Sequence, residues 1–160
     1  IETGDQGTDV RGIGTYAIGE PTTGNGIRPA PYSTDLNVNN YTYEATNNTG
    51  AISEPHGIGF VWCTMIWDMT WALIDAYGYD ADLYNGTGGN NMAMALIIEA
   101  LKLQPCSPGF VDGRDASHVS WRSVMSNPLR NRQSEDMFSR LCDMPNIFIH
   151  NALRRSGPKK

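Results

Sequence analysis

The sequence contains no His-Glu-x-x-His, no Cys-x-x-Cys and no Gly-x-Ser-x-Gly, so its residues alone assemble neither a standard zinc site nor a serine-nucleophile elbow. Histidine is scarce. His56, His118 and His150 lie far apart, and no two share a helical face at the spacing a chelating pair needs. Cysteine is scarce too, and odd in number. Cys63, Cys106 and Cys142 permit at most one disulfide and one free thiol, which leaves the redox compartment open. Charged residues make up only 18% of the chain, below the roughly one quarter usual in soluble domains. The net charge of -5 gives no electrostatic reason to expect nucleic acid or an anionic membrane as a partner. The opening Ile1-Glu2-Thr3-Gly4 has no initiator Met and no basic or apolar leader segment. Any signal peptide therefore lies outside this sequence, and the chain is expected to be a piece of something longer.

What is present suffices for one core. The apolar fraction is 40% over 160 residues, which fits a single domain, while 17 glycines and many Asn and Thr predict long loops. Charge is distributed unevenly. Residues 1–116 hold 4 basic side chains (Arg11, Arg28, Lys102, Arg114) against 14 acidic ones, and residues 117–160 hold 8 against 3. The sign reverses near Ala116, which predicts a change in the character of the chain at that point.

Residues 1–57 are rich in Gly, Pro, Asn and Thr and show no sustained helical period, so they are expected to form an extended surface segment wrapped on something else. Within them, Ile27-Arg28-Pro29-Ala30-Pro31-Tyr32-Ser33 places two prolines where they stiffen the backbone and aim the Arg28 side chain. From Ile58 the pattern changes. Ile58, Val61, Trp62, Met65, Ile66, Met69, Leu73, Ile74 and Tyr77 recur at three- and four-residue steps, which predicts a helix over 58–77 stopped by Gly78. The run is long enough to suggest a membrane span, but Asp68 and Asp75 favour a buried core helix. Cys63 is expected there as a buried small hydrophobe.

A second helix is predicted over 90–104, capped by Asn90 and Asn91, ended by Pro105 and packed against the first, with its Met-rich stripe in the core. The intervening Tyr84-Asn85-Gly86-Thr87-Gly88-Gly89 lacks the strand and the Lys-Ser/Thr of a phosphate loop and reads as a connecting turn. The fold expected is mainly α, with a loop-rich N-terminal third. Three glycosylation tripeptides begin at Asn40, Asn47 and Asn85.

Among the histidines, His56 stands out because it precedes the long helix in Ser53-Glu54-Pro55-His56-Gly57-Ile58-Gly59, where small neighbours allow a ligand to approach. An imidazole there can donate an N–H to a developing oxyanion. Position alone favours a partly exposed loop histidine at His56, and a lone arginine such as Arg28 is more often a solvated surface residue.

The stretch from Glu54 through His56-Gly57-Ile58-Gly59-Phe60-Val61-Trp62 to Trp67-Asp68 resembles the VHxxGExWxxxLWD segment of the fungalysin (M36) metallopeptidases, relatives of thermolysin. Gly88-Gly89-Asn90-Asn91, followed by Leu101-Lys102-Leu103-Gln104-Pro105-Cys106 and by Phe110-Val111-Asp112-Gly113-Arg114-Asp115-Ala116, is similar to that family's GGNN…GLKLQPCxPxFxDARDA signature. With Gly26-Ile27-Arg28 and Tyr32-Ser33-Thr34, the likeness covers about residues 7–116. It implies a thermolysin-like C-terminal helical domain of a secreted zinc endopeptidase that hydrolyses polypeptides, with calcium a further candidate cation. The zinc ligands are expected upstream of Ile1, in an N-terminal half that is this chain's partner, and the isolated chain is expected to be inactive. The resemblance matches His56 to the histidine that stabilises the tetrahedral oxyanion and Arg28 to the arginine that holds a substrate carbonyl. No residue present is matched to a metal ligand.

Some residues depart from the family pattern. Phe60 stands where many members carry Glu, and Pro55 where many carry Val, which leaves Glu54 as the candidate carboxylate to orient the imidazole. After Ala116 the family ending is not recognisable, so 1–116 is read as the peptidase part and 117–160 as a divergent tail with little helical period before Met144–Leu153. A shifted reading frame, an unrelated replacement and a disordered tail are the readings of that segment. The usual partner of Cys106 is then missing, and Cys142 is the substitute. The alternatives to an enzyme half are a non-catalytic helical binding or scaffold module and an inactive degenerate fragment.

Overall fold

A computed structural model describes residues 1–47, 50 and 52–125. The fold is mainly α, as the sequence predicts. Among the described residues there are three α-helices, α1 (His56–Tyr77), α2 (Gly89–Leu103) and α3 (Phe110–Met125), with short 3-10 turns at Thr15–Ile18 and Tyr43–Asn47. Extended pairing is limited there to two isolated bridges, Arg11 with Tyr32 and Ile13 with Gly26. These residues form two compact units whose boundary in sequence falls inside α1, between Trp71 and Ala72.

In the first unit the Gly-, Pro- and Asn-rich segment is folded on itself and on α1. Arg11 and Tyr32 exchange backbone hydrogen bonds of 3.0 and 2.8 Å, Thr34 N donates to Gly7 O at 2.8 Å, and the Ser33 hydroxyl donates to Thr8 O at 2.9 Å. Two strands of loop are thus tied together without a sheet, which satisfies backbone groups that burial would otherwise leave unpaired. The Tyr32 ring then stacks on Phe60 at 5.5 Å and on Trp67 at 5.7 Å, and Tyr41 meets Phe60 edge-on at 5.2 Å. Asn39, with no exposed surface, donates to the Thr64 hydroxyl at 3.2 Å. The surface on which the segment is wrapped is therefore this chain's own helix.

That helix presents Gly57, Phe60, Val61, Thr64, Asp68 and Trp71 as buried positions at three- and four-residue steps, one continuous stripe. It begins at His56 rather than Ile58 and ends at Gly78, whose N–H donates to Ile74 O at 2.7 Å. By length and composition α1 could cross a membrane, but half of its most apolar window is buried inside the protein, as in a core helix. Cys63 falls off the buried stripe. It is exposed, contrary to the expectation of a buried hydrophobe, because the steps that bury Phe60 and Thr64 turn position 63 outward.

In the second unit α2 lies along α3, and its first residue meets the end of α1 at Leu73 and Ile74. Met92, Ala93, Leu96 and Ala100 are the buried apolar side chains of α2, while Met94 is exposed, so only part of the Met-rich stripe is core. On α3 the buried positions include Gly113, Ala116 and Ser120, and the Ser120 hydroxyl, fully buried, donates to Leu96 O at 3.2 Å. Small side chains let the two helix backbones approach closely. α3 continues through Ala116 to Met125, which corrects the expectation of little helical period over its last turns. The reading of Cys142 as partner to Cys106, and of a docking segment at Met144–Leu153, falls outside the described residues. So does the rest of the tail beyond Met125.

The start of α2 is also organised otherwise than predicted. Gly88 is the N-cap and no side chain caps the helix. Asn90 instead clamps the preceding loop, accepting from Asp80 N at 2.9 Å and donating to Asp80 O at 2.7 Å, and Asn91 donates to Asp82 O at 2.8 Å. A β-carbon at Gly89 would overlap the Leu73 carbonyl and the Ile74 nitrogen, so α2 can begin against the end of α1 only with glycine there. Gly88-Gly89-Asn90-Asn91 is thus a structural stitch and does not form a phosphate cradle.

Candidate functional site

His56 is the first residue of α1 and is exposed. The chain enters the helix through Gly57, whose N–H donates to Ser53 O at 2.6 Å, and Gly59, whose N–H donates to Pro55 O at 2.9 Å. The two glycines have different reasons to be small. A β-carbon at Gly57 would overlap the Ile52 side chain, which is only 1% exposed, whereas at Gly59 no described atom beyond its neighbours and the helix's own backbone lies within 4 Å of the corresponding position. Gly57 therefore seats the helix entrance on the core, and Gly59 leaves the side of His56 open. The N-terminus of a helix also favours negative charge beside it.

Arg28 lies in the bend between the Gly26 bridge and Pro29 and is half-buried. Among the described residues, the side chains of His56 and Arg28 enter no hydrogen bond or ion pair with any protein group, and the guanidinium and imidazole do not contact one another directly. Arg28 lies close enough to Tyr32 for its charge to act on the phenol, Tyr32 stacks on Phe60, and Phe60 sits one helical turn after His56.

Tyr32 is the residue that sequence reasoning passed over. Burial raises its phenol above the ordinary tyrosine range, the Cys63 thiol adds to the rise by charge and by a hydrogen bond, and Arg28 opposes it. The phenol therefore stays protonated at any ordinary pH and serves as a fixed, neutral post between Arg28 and α1. The available signal was its place between Pro31 and Ser33, in the same short motif as Arg28. Phe60 is 1% exposed and belongs to the aromatic stack. Glu54, the candidate orienting carboxylate, is exposed and forms no hydrogen bond with His56. Cys106 is exposed and has no disulfide partner among the described residues.

No group of three or more His, Cys, Asp or Glu among the described residues could hold a metal ion. These residues do not fit a zinc centre. What they offer is an open imidazole at a helix entrance and a guanidinium on a proline-stiffened bend, neither with a hydrogen bond or ion pair among the described residues. An arrangement of this kind can bind and polarise a carbonyl or an oxyanion.

The family model of the fungalysin metallopeptidases (M36) matches residues 1–125. Extracellular metalloproteinase 3 of Arthroderma otae is 43% identical over 110 residues, which is 65% of this chain and 16% of that protein. Extracellular metalloproteinase 2 of Trichophyton tonsurans is 41% identical over 109 residues, 63% of this chain and 17% of its own length. Extracellular metalloproteinase MEP of Neosartorya fischeri is 38% identical over 122 residues, 72% of this chain and 18% of its own length. The chain thus spans less than a fifth of each of these relatives. With the family model covering most of its residues, the chain belongs to the fungalysin (M36) metallopeptidase family.

Proposed function

We propose that this chain forms the substrate-cleft side of a secreted zinc endopeptidase that cleaves polypeptides. His56 donates an imidazole N–H to the oxygen that becomes negative when the scissile carbonyl is attacked, and Arg28 holds a neighbouring substrate carbonyl. The observation that carries this reading is the open His56 side chain at the entrance of α1, with Gly59 leaving room beside it. A donor in this place acts only as charge develops, so it lowers the barrier and adds little to substrate binding. The metal ligands and the group that activates water belong to a part of the protein other than these residues.

The extracellular names of the relatives support secretion, and their metalloproteinase names support a metal, with zinc as the ion and calcium as a second candidate. Measurement of His56→Ala in the full-length enzyme tests the assignment. Turnover is expected to fall by about 100- to 1,000-fold, or about 3–4 kcal/mol of barrier, with metal content unchanged. Turnover equal to wild type removes His56 from the reaction. That result favours the reading of the chain as a helical binding module.

A further inference from the structure

The peptide-hydrolysis reading makes no use of the three Asn-x-Thr tripeptides. The one beginning at Asn47 runs outside the described residues. Asn40 is exposed, but it stands between the fully buried Asn39 and Tyr41, whose ring packs on Phe60. Asn85 has different surroundings. It and Thr87 are both exposed, and the residues just before them, Leu83 and Tyr84, are 50% and 96% exposed. The turn that carries them is built by other groups. Asp82 Oδ1 accepts from the N–H groups of Tyr84 and Asn85 at 3.0 Å each, Gly86 N donates to Asp82 O at 2.9 Å, and Thr87 N donates to Asp80 Oδ2 at 3.1 Å. Neither the Asn85 carboxamide nor the Thr87 hydroxyl is needed to hold the backbone. The carboxamide's one side-chain bond runs from Nδ2 to Asp82 Oδ2 at 3.3 Å, and a glycosylated amide nitrogen keeps one hydrogen to maintain it.

We infer that Asn85 is an N-glycan attachment site and that its first sugars cover the exposed Leu83–Tyr84 pair. The inference rests on the extracellular reading above, because the modification takes place on the secretory route. The donor is a polyprenyl-diphosphate-linked oligosaccharide. The Asn85 carboxamide nitrogen bonds to the anomeric carbon of the innermost sugar, the bond from that carbon to the diphosphate oxygen breaks, and the polyprenyl diphosphate leaves with the electron pair. The carboxamide loses one proton, and no oxidant or reductant is required. The Thr87 hydroxyl marks the tripeptide for transfer.

The test uses the full-length protein behind a secretion leader of a eukaryotic host, so that entry to the lumen does not depend on its own targeting. Release of glycans by peptide N-glycosidase in heavy-oxygen water, followed by peptide mass spectrometry, is expected to show labelled aspartate at position 85. Thr87→Ala is expected to lose that label and the mass of one glycan, and to bind a hydrophobic dye more strongly, while Thr87→Ser retains the glycan. Unmodified Asn85 in secreted protein that carries a glycan at Asn40 overturns the inference. Retention of the protein inside the cell under its own leader, with Asn85 modified under the host leader, overturns the extracellular reading and leaves the attachment site standing.

Discussion

The first unit holds irregular chain in place with large aromatic rings, whereas the second joins regular helices through some of the smallest side chains. In residues 1–71 the loops pair in two short bridges, and Tyr32, Tyr41, Phe60 and Trp67 supply the interlocking surface. In residues 72–125 the helices are already regular, and Gly89, Gly113, Ala116 and Ser120 remove bulk at the places where backbones meet. Loops have few internal hydrogen bonds, so they need large buried rings to hold one conformation. Helices satisfy their own backbones and gain by coming close. The candidate site lies with the loops. Arg28 can be aimed by a bend, and His56 can be placed at a helix entrance, only where the chain leaves regular structure.

The strongest way to break this comparison is to remove a ring from the first unit. Phe60→Ala leaves a cavity among Tyr32, Tyr41 and the helix, and is expected to cost about 3–5 kcal/mol in denaturant unfolding of the full chain. A cost under about 1 kcal/mol would mean that the loops are held by their backbone bridges and not by the stack.

The second unit should respond to added bulk. Gly89→Ala drives a methyl into the Leu73 carbonyl and is expected to cost about 1–3 kcal/mol by the same measurement. Gly59→Ala is the control. It has open space around the new methyl and is expected to gain about 0.5–1 kcal/mol from the better helix propensity of alanine. Equal responses at the two glycines would remove close approach as the reason for Gly89.

The smallest effect expected is a pH dependence confined to α3. Burial holds His118 below its ordinary value of 6.5, Arg114 and Arg122 push in the same direction, and Asp115 opposes them. The unfolded chain therefore takes up a proton near pH 6.5 that the folded chain takes up only at lower pH. Stability falls as pH drops from the ordinary value through the lowered one, and is level below that. Melting temperatures compared just above and about one pH unit below 6.5 should show the fall in wild type and a smaller one in His118→Gln. The same slope in both proteins would place the proton uptake elsewhere.

Both long apolar helices were legible because their buried faces are hydrophobic and recur at helical spacing. α3 was not, for a physical reason. Its buried stripe is Gly113, Ala116 and Ser120, which carries no hydrophobic signal, and its visible residues are Asp112, Arg114 and Asp115. Asn90 and Asn91 look like caps by type, yet their amides reach the Asp80 and Asp82 backbone because the loop folds back over the helix start. Of the site, His56 and Arg28 could be named from the motifs that contain them. Tyr32 could not, because its role depends on a stack with residues that lie about thirty positions away along the chain.

The amino-acid sequence by itself determined the family and the mainly helical character. Those properties reside in local period and contiguous motif. Only the tertiary structure decided that α2 pairs with α3, that Cys63 is exposed, that Phe60 is core, and that Gly88-Gly89-Asn90-Asn91 stitches a loop. Each of these depends on which surfaces meet, and a contact between distant segments leaves no period in either one.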